Sequence, residues 1–264
     1  MKKTALVFVF TSFVLLNFSC NNCKKEGNVY LQSGVLFQQK AAESRALYYQ
    51  AYNMASLMLE KDLANDSIKQ KRALVFDIDE TVLDNSPFEA KCALEGIAYP
   101  EKWNEWCNMA KAKALPGAVA FINDAYKKGV AIFYISNRKE ELREATKKNL
   151  ISEGLPLPDD SFLMLRTKDS NKEPRRQQVL KDFHIALLFG DNLADFTGDF
   201  ENKTIAERAN KADSLKKEFG KRFIIFPNAM YGDWEMALYD NNPKLSDNEK
   251  DTKRKSNLIS FNHE

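Results

Sequence analysis

Five short apolar runs punctuate the chain between residues 70 and 230: ALVF (73–76), VAIFYI (130–135), FLML (162–165), IALLF (185–189) and FIIF (223–226). None alternates apolar with polar positions, as a strand wetted on one side would. Unbroken apolarity over so few residues predicts strands covered on both faces. Segments with helical spacing lie between them, at about 117–128, 139–151, 173–182 and 203–218, and Gly129 suits a helix end ahead of the second strand. Such alternation predicts an α/β fold, a parallel sheet flanked by helices. Upstream, Leu36, Leu47, Tyr48, Ala51, Tyr52, Ala55 and Leu59 fall near helical spacing, so residues 35–60 are expected to form one long amphipathic helix with its aromatics packed inward. Residues 86–115 break the rhythm and read as an insertion of two short helices carrying Tyr99, Trp103 and Trp106. Ser246 and Glu249 stand in capping-box spacing ahead of a surface helix over 247–258.

The first twenty residues follow other rules. Lys2 and Lys3 precede the apolar stretch ALVFVFTSFVLLNF, and then comes Ser19-Cys20. The stretch has signal-peptide length and is short for a membrane span. A small residue followed by Cys resembles a bacterial lipoprotein cleavage site, with Leu16 one place early and Asn17 where an aliphatic residue is usual. The expectation is a signal peptide over 1–19, a lipid on Cys20, a polar tether over 20–32 and a domain over 33–264 with helical additions near 35–60, 86–115 and 240–260. The protein would then be an exported, membrane-anchored lipoprotein on the periplasmic or surface face of the outer membrane. Of the remaining thiols Cys23, Cys92 and Cys107, the last two either pair, leaving an odd thiol, or stand as half-buried free groups. The one C-x-x-C pair, Cys20 and Cys23, contains the lipid site, which argues against zinc. A net charge of +2 over 264 residues gives no electrostatic case for a nucleic-acid polymer as partner.

The candidate chemistry sits where the first apolar run ends. Asp77, Asp79, Glu80 and Asp84 follow residue 76 directly. Ligands of a parallel α/β sheet bind at the carboxyl ends of its strands, and residues i and i+2 share one side of an extended chain. Asp77 and Asp79 therefore face one ligand, and their repulsion calls for a cation or a shared proton. The run 185–189 ends in GDNLADF, which adds Asp191 and Asp195 after a turn at Gly190. Hard carboxylate oxygens suit Mg²⁺. The second run ends in Ser136 and Asn137, both hydrogen-bond donors, and Lys172 precedes the helix opening at Glu173-Pro174, where an anion is favoured; Lys168 is the other candidate lysine. A metal, a hydroxyl, a lysine and a nucleophilic carboxylate together suit phosphoryl transfer.

DIDETVLDNS, SNR, the lysine and GDNLADF resemble the four motifs of haloacid dehalogenase (HAD) superfamily phosphatases. With YPEKWNEW and PNAMYGDWE they are similar to the class C acid phosphatases, the lipoprotein and 5'-nucleotidase group, over about residues 33 to 240. The resemblance implies a HAD-like Rossmannoid sheet with a smaller helical cap, and a Mg²⁺-dependent phosphomonoesterase. Asp77 would be the nucleophile and Asp79 the general acid and base. Ser136, Asn137 and Lys172 would bind phosphate. Asp77, the Asp79 backbone carbonyl and Asp191 would hold the metal, supported by Asp195. Trp103 and Tyr231 would sandwich the substrate's organic part, favouring nucleoside monophosphates and aryl phosphates, and a homodimer is consistent with the group. Arg138 and His184 are expected to be structural. Only His184 and His263 are present and neither has an Arg-His-Gly context; neither Cys92 nor Cys107 precedes a phosphate-loop arginine; no Walker loop exists. The alternatives are a non-catalytic surface lipoprotein binding a phosphorylated or aromatic ligand, and a receiver-like signalling domain, against which the D-x-D-x-T spacing speaks.

Overall fold

The computed structural model describes residues 29–261. The expected signal peptide, Cys20, Cys23 and His263 lie outside the described residues. Five parallel strands form the central sheet in the order β5-β4-β1-β6-β7, where β1 is Lys71–Phe76, β4 Ala131–Lys139, β5 Leu163–Arg166, β6 Phe183–Gly190 and β7 Phe223–Ile225. All five coincide with the unbroken apolar runs. The helices α5 (Ala118–Lys127), α6 (Arg143–Ser152), α7 (Glu173–Asp182) and α8 (Ile205–Ser214) fall in the expected intervals.

The reason for the unbroken apolarity is visible in β1. Leu74 and Phe76 point into one core with Tyr52, Phe121, Phe189 and Phe226, while Ala73 and Val75 point into a second with Phe133, Val179, Ile185 and Phe223. Both faces are dry, so both sets of alternating positions must be apolar. On the first face Phe76 stacks on Phe189 with ring centroids 4.1 Å apart. Truncating such a ring to Ala costs about 3–5 kcal/mol.

Two expectations need correction. The long N-terminal helix is two helices, α1 (Val29–Lys40) and α2 (Ala42–Leu63), broken at Ala41, whose backbone is extended at φ −74 and ψ 124. Residues 29–32, assigned to the tether, are therefore helical. The break lets α1 lean onto the segment after β7: a Cβ on Gly34 would come within 2.5 Å of the Ala229 carbonyl. Gln38 stitches the corner, accepting from Ser44 Oγ at 3.1 Å and donating to Tyr48 Oη at 3.2 Å. Tertiary contacts, not a helix-breaking residue, place this bend. The insertion holds the two expected helices, α3 (Ser86–Glu95) and α4 (Trp103–Met109). It also holds a short antiparallel pair, β2 (Leu83–Asp84) with β3 (Lys113–Ala114), which two residues per strand are too few to announce.

Beyond β7 lie α9 (Asp233–Leu238), which the sequence reading missed, and α10 (Asp247–Ser256), capped by Ser246 as expected. Cys92 and Cys107 are separate, buried thiols, which resolves their alternatives in favour of free groups. Among the described residues no helix is long and apolar enough to cross a membrane.

Candidate active site

The carboxyl edges of β1, β4 and β6 converge on one cluster of charge. Asp77 follows β1, and its N–H donates to the Phe189 carbonyl on β6 at 2.9 Å, so the two strand ends are locked in register. Asp191 and Asp195 follow β6. Gly190 is required there because a Cβ would meet Asp195 Oδ2 at 2.3 Å. Carboxylate oxygens of Asp77, Asp191 and Asp195 lie within 4.8 Å of one another.

Lys172 caps α7 and reaches into this cluster. Its Nζ donates to Asp77 Oδ1 and, at 2.6 Å, to Asp195 Oδ1, with all three side chains nearly inaccessible. Burial pushes the Asp77 carboxyl up to about 7 against the pull of Lys172, with Asp195 and Asp79 adding repulsion. Burial and the neighbouring Asp195 and Asp77 likewise raise Asp191 well above the carboxylate range. Burial alone would lower the Lys172 ammonium, yet Asp195 and Asp77 together hold it above its ordinary value. Three acids share one lysine, an excess of carboxylate that burial pushes toward protonation and that a divalent cation with oxygen preference fits. Lys168, the rival lysine, is exposed.

Asp79 points into a different set of partners. Arg138 donates to its Oδ1 through Nη2 at 2.7 Å and Nε at 2.9 Å, Asn85 Nδ2 donates at 2.8 Å, and Ser136 Oγ lies 3.4 Å from Oδ2. Ser136 and Asn137 lie within β4 rather than after it. Ser136 Oγ also accepts from the Arg138 N–H at 3.1 Å, and Asn137 Oδ1 accepts from Arg175 Nη2 at 2.7 Å. Arg138, read as structural from sequence, is thus a direct partner of Asp79. Its guanidinium also lies 5.6 Å over the Trp103 ring. His184 keeps its structural reading: its Nε2 lies 2.8 Å from Asp62 Oδ2.

The two aromatics reach the same edge from opposite ends of the sequence. Trp103, half-buried, packs edge-on against Phe88 and Tyr99 at 5.0 and 5.9 Å. Tyr231, also half-buried, donates its hydroxyl to Glu80 Oε2. Sequence reasoning missed Asn85, Arg175, Asn228 and the role of Glu80. Asn228 Nδ2 donates to Asp191 Oδ2 at 2.7 Å. Arg175, Asn228 and Glu80 meet Asn137, Asp191 and Tyr231 from 38, 37 and 151 positions away. Asn85 is only six positions from Asp79, but as an ordinary polar residue in a turn it carries no signal of that bond.

A family profile, the HAD superfamily subfamily IIIB (acid phosphatase), matches residues 11–234. The crystal structure of the class C acid phosphatase from Bacillus anthracis with tungstate bound is 48% identical. It covers 89% of this chain and 99% of that one, with a TM-score of 0.85. The class B acid phosphatase of Morganella morganii is 24% identical over 75% of this chain and 91% of its own length. A stem 31 kDa glycoprotein of Glycine max is 26% identical over 63% of this chain, and the match spans 65% of that relative's length.

Proposed function

This chain belongs to the HAD superfamily subfamily IIIB acid phosphatases, and from that premise we propose that it hydrolyses phosphomonoesters through an aspartyl phosphate on Asp77. The observation that carries the reading is Lys172 bridging Asp77 and Asp195 at the carboxyl ends of adjacent strands, with Asp191 beside them. Tungstate, held by the Bacillus anthracis relative, is a tetrahedral oxyanion shaped like phosphate, which supports an oxyanion site here.

Asp77 supplies the attacking oxygen. The phosphorus–oxygen ester bond breaks as the Asp77–phosphorus bond forms, and the departing alkoxide takes a proton from Asp79. Asp79 then accepts a proton from water, whose oxygen attacks phosphorus and releases Asp77. Lys172 balances charge on Asp77 and on phosphate oxygens, while Ser136 and Asn137 offer further donors. Arg138 and Asn85 fix where the Asp79 carboxyl lies. Asp77, Asp191 and the Asp79 backbone carbonyl, supported by Asp195, would hold Mg²⁺, which when bound supplies positive charge opposite the phosphate dianion.

Trp103 and Tyr231 would flank the organic group, so nucleoside monophosphates and aryl phosphates are favoured over small aliphatic esters. Base–aromatic stacking is worth about 1–3 kcal/mol per ring. Export as a lipoprotein through Cys20, and homodimerisation, remain parts of the proposal. The test is a panel of phosphomonoesters assayed with and without Mg²⁺. Failure to turn over any ester in the presence of Mg²⁺ would leave the non-catalytic lipoprotein as the better reading.

A further inference from the structure

Glu80 follows the proposed acid Asp79, and no step above uses it. Its position is nonetheless demanding. The backbone sits at φ +59, a region that residues with side chains rarely adopt. The residue is wholly buried, and burial, with Asp79 and Asp191 close by, pushes its carboxyl well above the ordinary range. The unusual backbone is pinned on both sides: the Glu80 N–H donates to the Leu83 carbonyl at 2.9 Å, and Tyr48 Oη donates to the Glu80 carbonyl at 2.8 Å. So oriented, the side chain has two hydrogen-bond partners. Oε1 accepts the Asn85 N–H at 2.7 Å, and Oε2 accepts the hydroxyl of Tyr231, 151 positions away.

Tyr231 needs such an anchor. It lies between β7 and α9 in a segment without regular structure. The backbone of that segment is fixed from the acid cluster: Asn228 donates to Asp191 and, through Oδ1, accepts from the Met230 N–H at 2.9 Å and the Tyr231 N–H at 3.4 Å. Those bonds hold the main chain, not the ring. A half-buried phenol turning freely about two torsions would present its face to a substrate only part of the time.

We propose that Glu80 is a positioning residue: by holding the Tyr231 hydroxyl, it fixes the ring that meets the substrate's organic group, so the turn carrying Asp77 and Asp79 also sets substrate preference. This rests on the reading of Tyr231 as a substrate contact given above. It differs from that reading in assigning the preference to a hydrogen bond and not to the ring alone.

The test uses the full chain with Mg²⁺, a nucleoside monophosphate and glycerol phosphate. The readout is the ratio of the two kcat/KM values, with KM and kcat resolved separately. Tyr231→Ala removes the ring, Tyr231→Phe removes only the hydroxyl, and Glu80→Gln removes one of the two carboxylate acceptors. Tyr231→Phe and Glu80→Gln should each lower the ratio roughly 3- to 10-fold, the scale of a lost contact between neighbours, through KM for the nucleotide. The double variant should fall no further than the lower single. Additive losses in the double variant would overturn the proposal. So would an unchanged ratio in Tyr231→Phe where Tyr231→Ala lowers it; the ring contact would then stand without Glu80. An unchanged ratio in Tyr231→Ala would sink the ring contact and this proposal together, while turnover by the wild type would still carry the phosphatase reading. Should Glu80→Gln fail to fold, Tyr231→Phe decides alone, because it deletes a single oxygen.

Discussion

Asp77 and Asp79 stand two positions apart and live in different surroundings. Asp77 faces Lys172 and the acids after β6, whereas Asp79 is held by Arg138 and Asn85. A nucleophile and a proton carrier need that separation. Asp77→Asn keeps the shape and removes the proposed nucleophile, so turnover should fall at least about 100-fold while the fold is retained; circular dichroism and a chromogenic ester assay check both halves. Asp79→Asn should slow alkyl esters more than nitrophenyl esters, since a stable departing oxygen needs less protonation. Equal losses on both ester classes would argue that Asp79 only positions its neighbours. The acids and Lys172 were legible in the sequence because each follows a strand or opens a helix at a place fixed by the fold. Arg138 and Glu80 were not, since their partners lie 59 and 151 positions away.

The same contrast holds among the elements. Strands covered on both faces announce themselves, because burial leaves no position free to be polar. The bend at Ala41 does not, since the fit of Gly34 against Ala229 decides it and helix propensity does not. The helix α10 was legible through chemistry local to its first turn. Ser246 Oγ accepts the Glu249 N–H at 3.4 Å, and Glu249 Oε2 accepts the Ser246 N–H at 2.7 Å. No residue of α10 is buried; Arg254 ties its last turn to Glu235 at 2.7 Å, and the cap serves its first. Ser246→Ala should weaken the helix by about 1 kcal/mol, raising amide exchange in its first turns about fivefold. The global melting temperature should barely move; a large drop would mean that α10 is coupled to the core.

At the scale of the whole molecule, the fold carries more buried carboxyl groups than its lysines and arginines neutralise locally, and this shapes its response to pH and metal. Glu89 in α3 is pushed up to about 7 by burial, with repulsion from Glu235 adding to it. A carboxyl raised in the folded state contributes stability that is present below its unfolded value of 4.5 and is lost as pH rises through about 7. Glu89→Gln removes that titration. The variant should therefore gain on the wild type by on the order of 2–3 kcal/mol between pH 4 and 8, read from denaturant midpoints. Acids at the catalytic edge should respond to a cation as well as to a proton. Asp77, Asp191 and Asp195 crowd together, and the one ammonium among them, Lys172, bonds Asp77 and Asp195, so Mg²⁺ should stabilise the folded state by binding there. At about 100 times its dissociation constant the gain is about 2.7 kcal/mol, a rise of roughly 5–10 °C in melting temperature for a domain of this size. Chelation should reverse that rise and abolish turnover. Asp191→Asn removes one repelling charge and one ligand together. It should leave the metal-free protein at least as stable as the wild type while losing most of the Mg²⁺-dependent shift. Turnover that persists in excess chelator, with a melting temperature indifferent to Mg²⁺ in the wild type, would mean that Lys172 alone satisfies the cluster and that the chemistry runs without a metal.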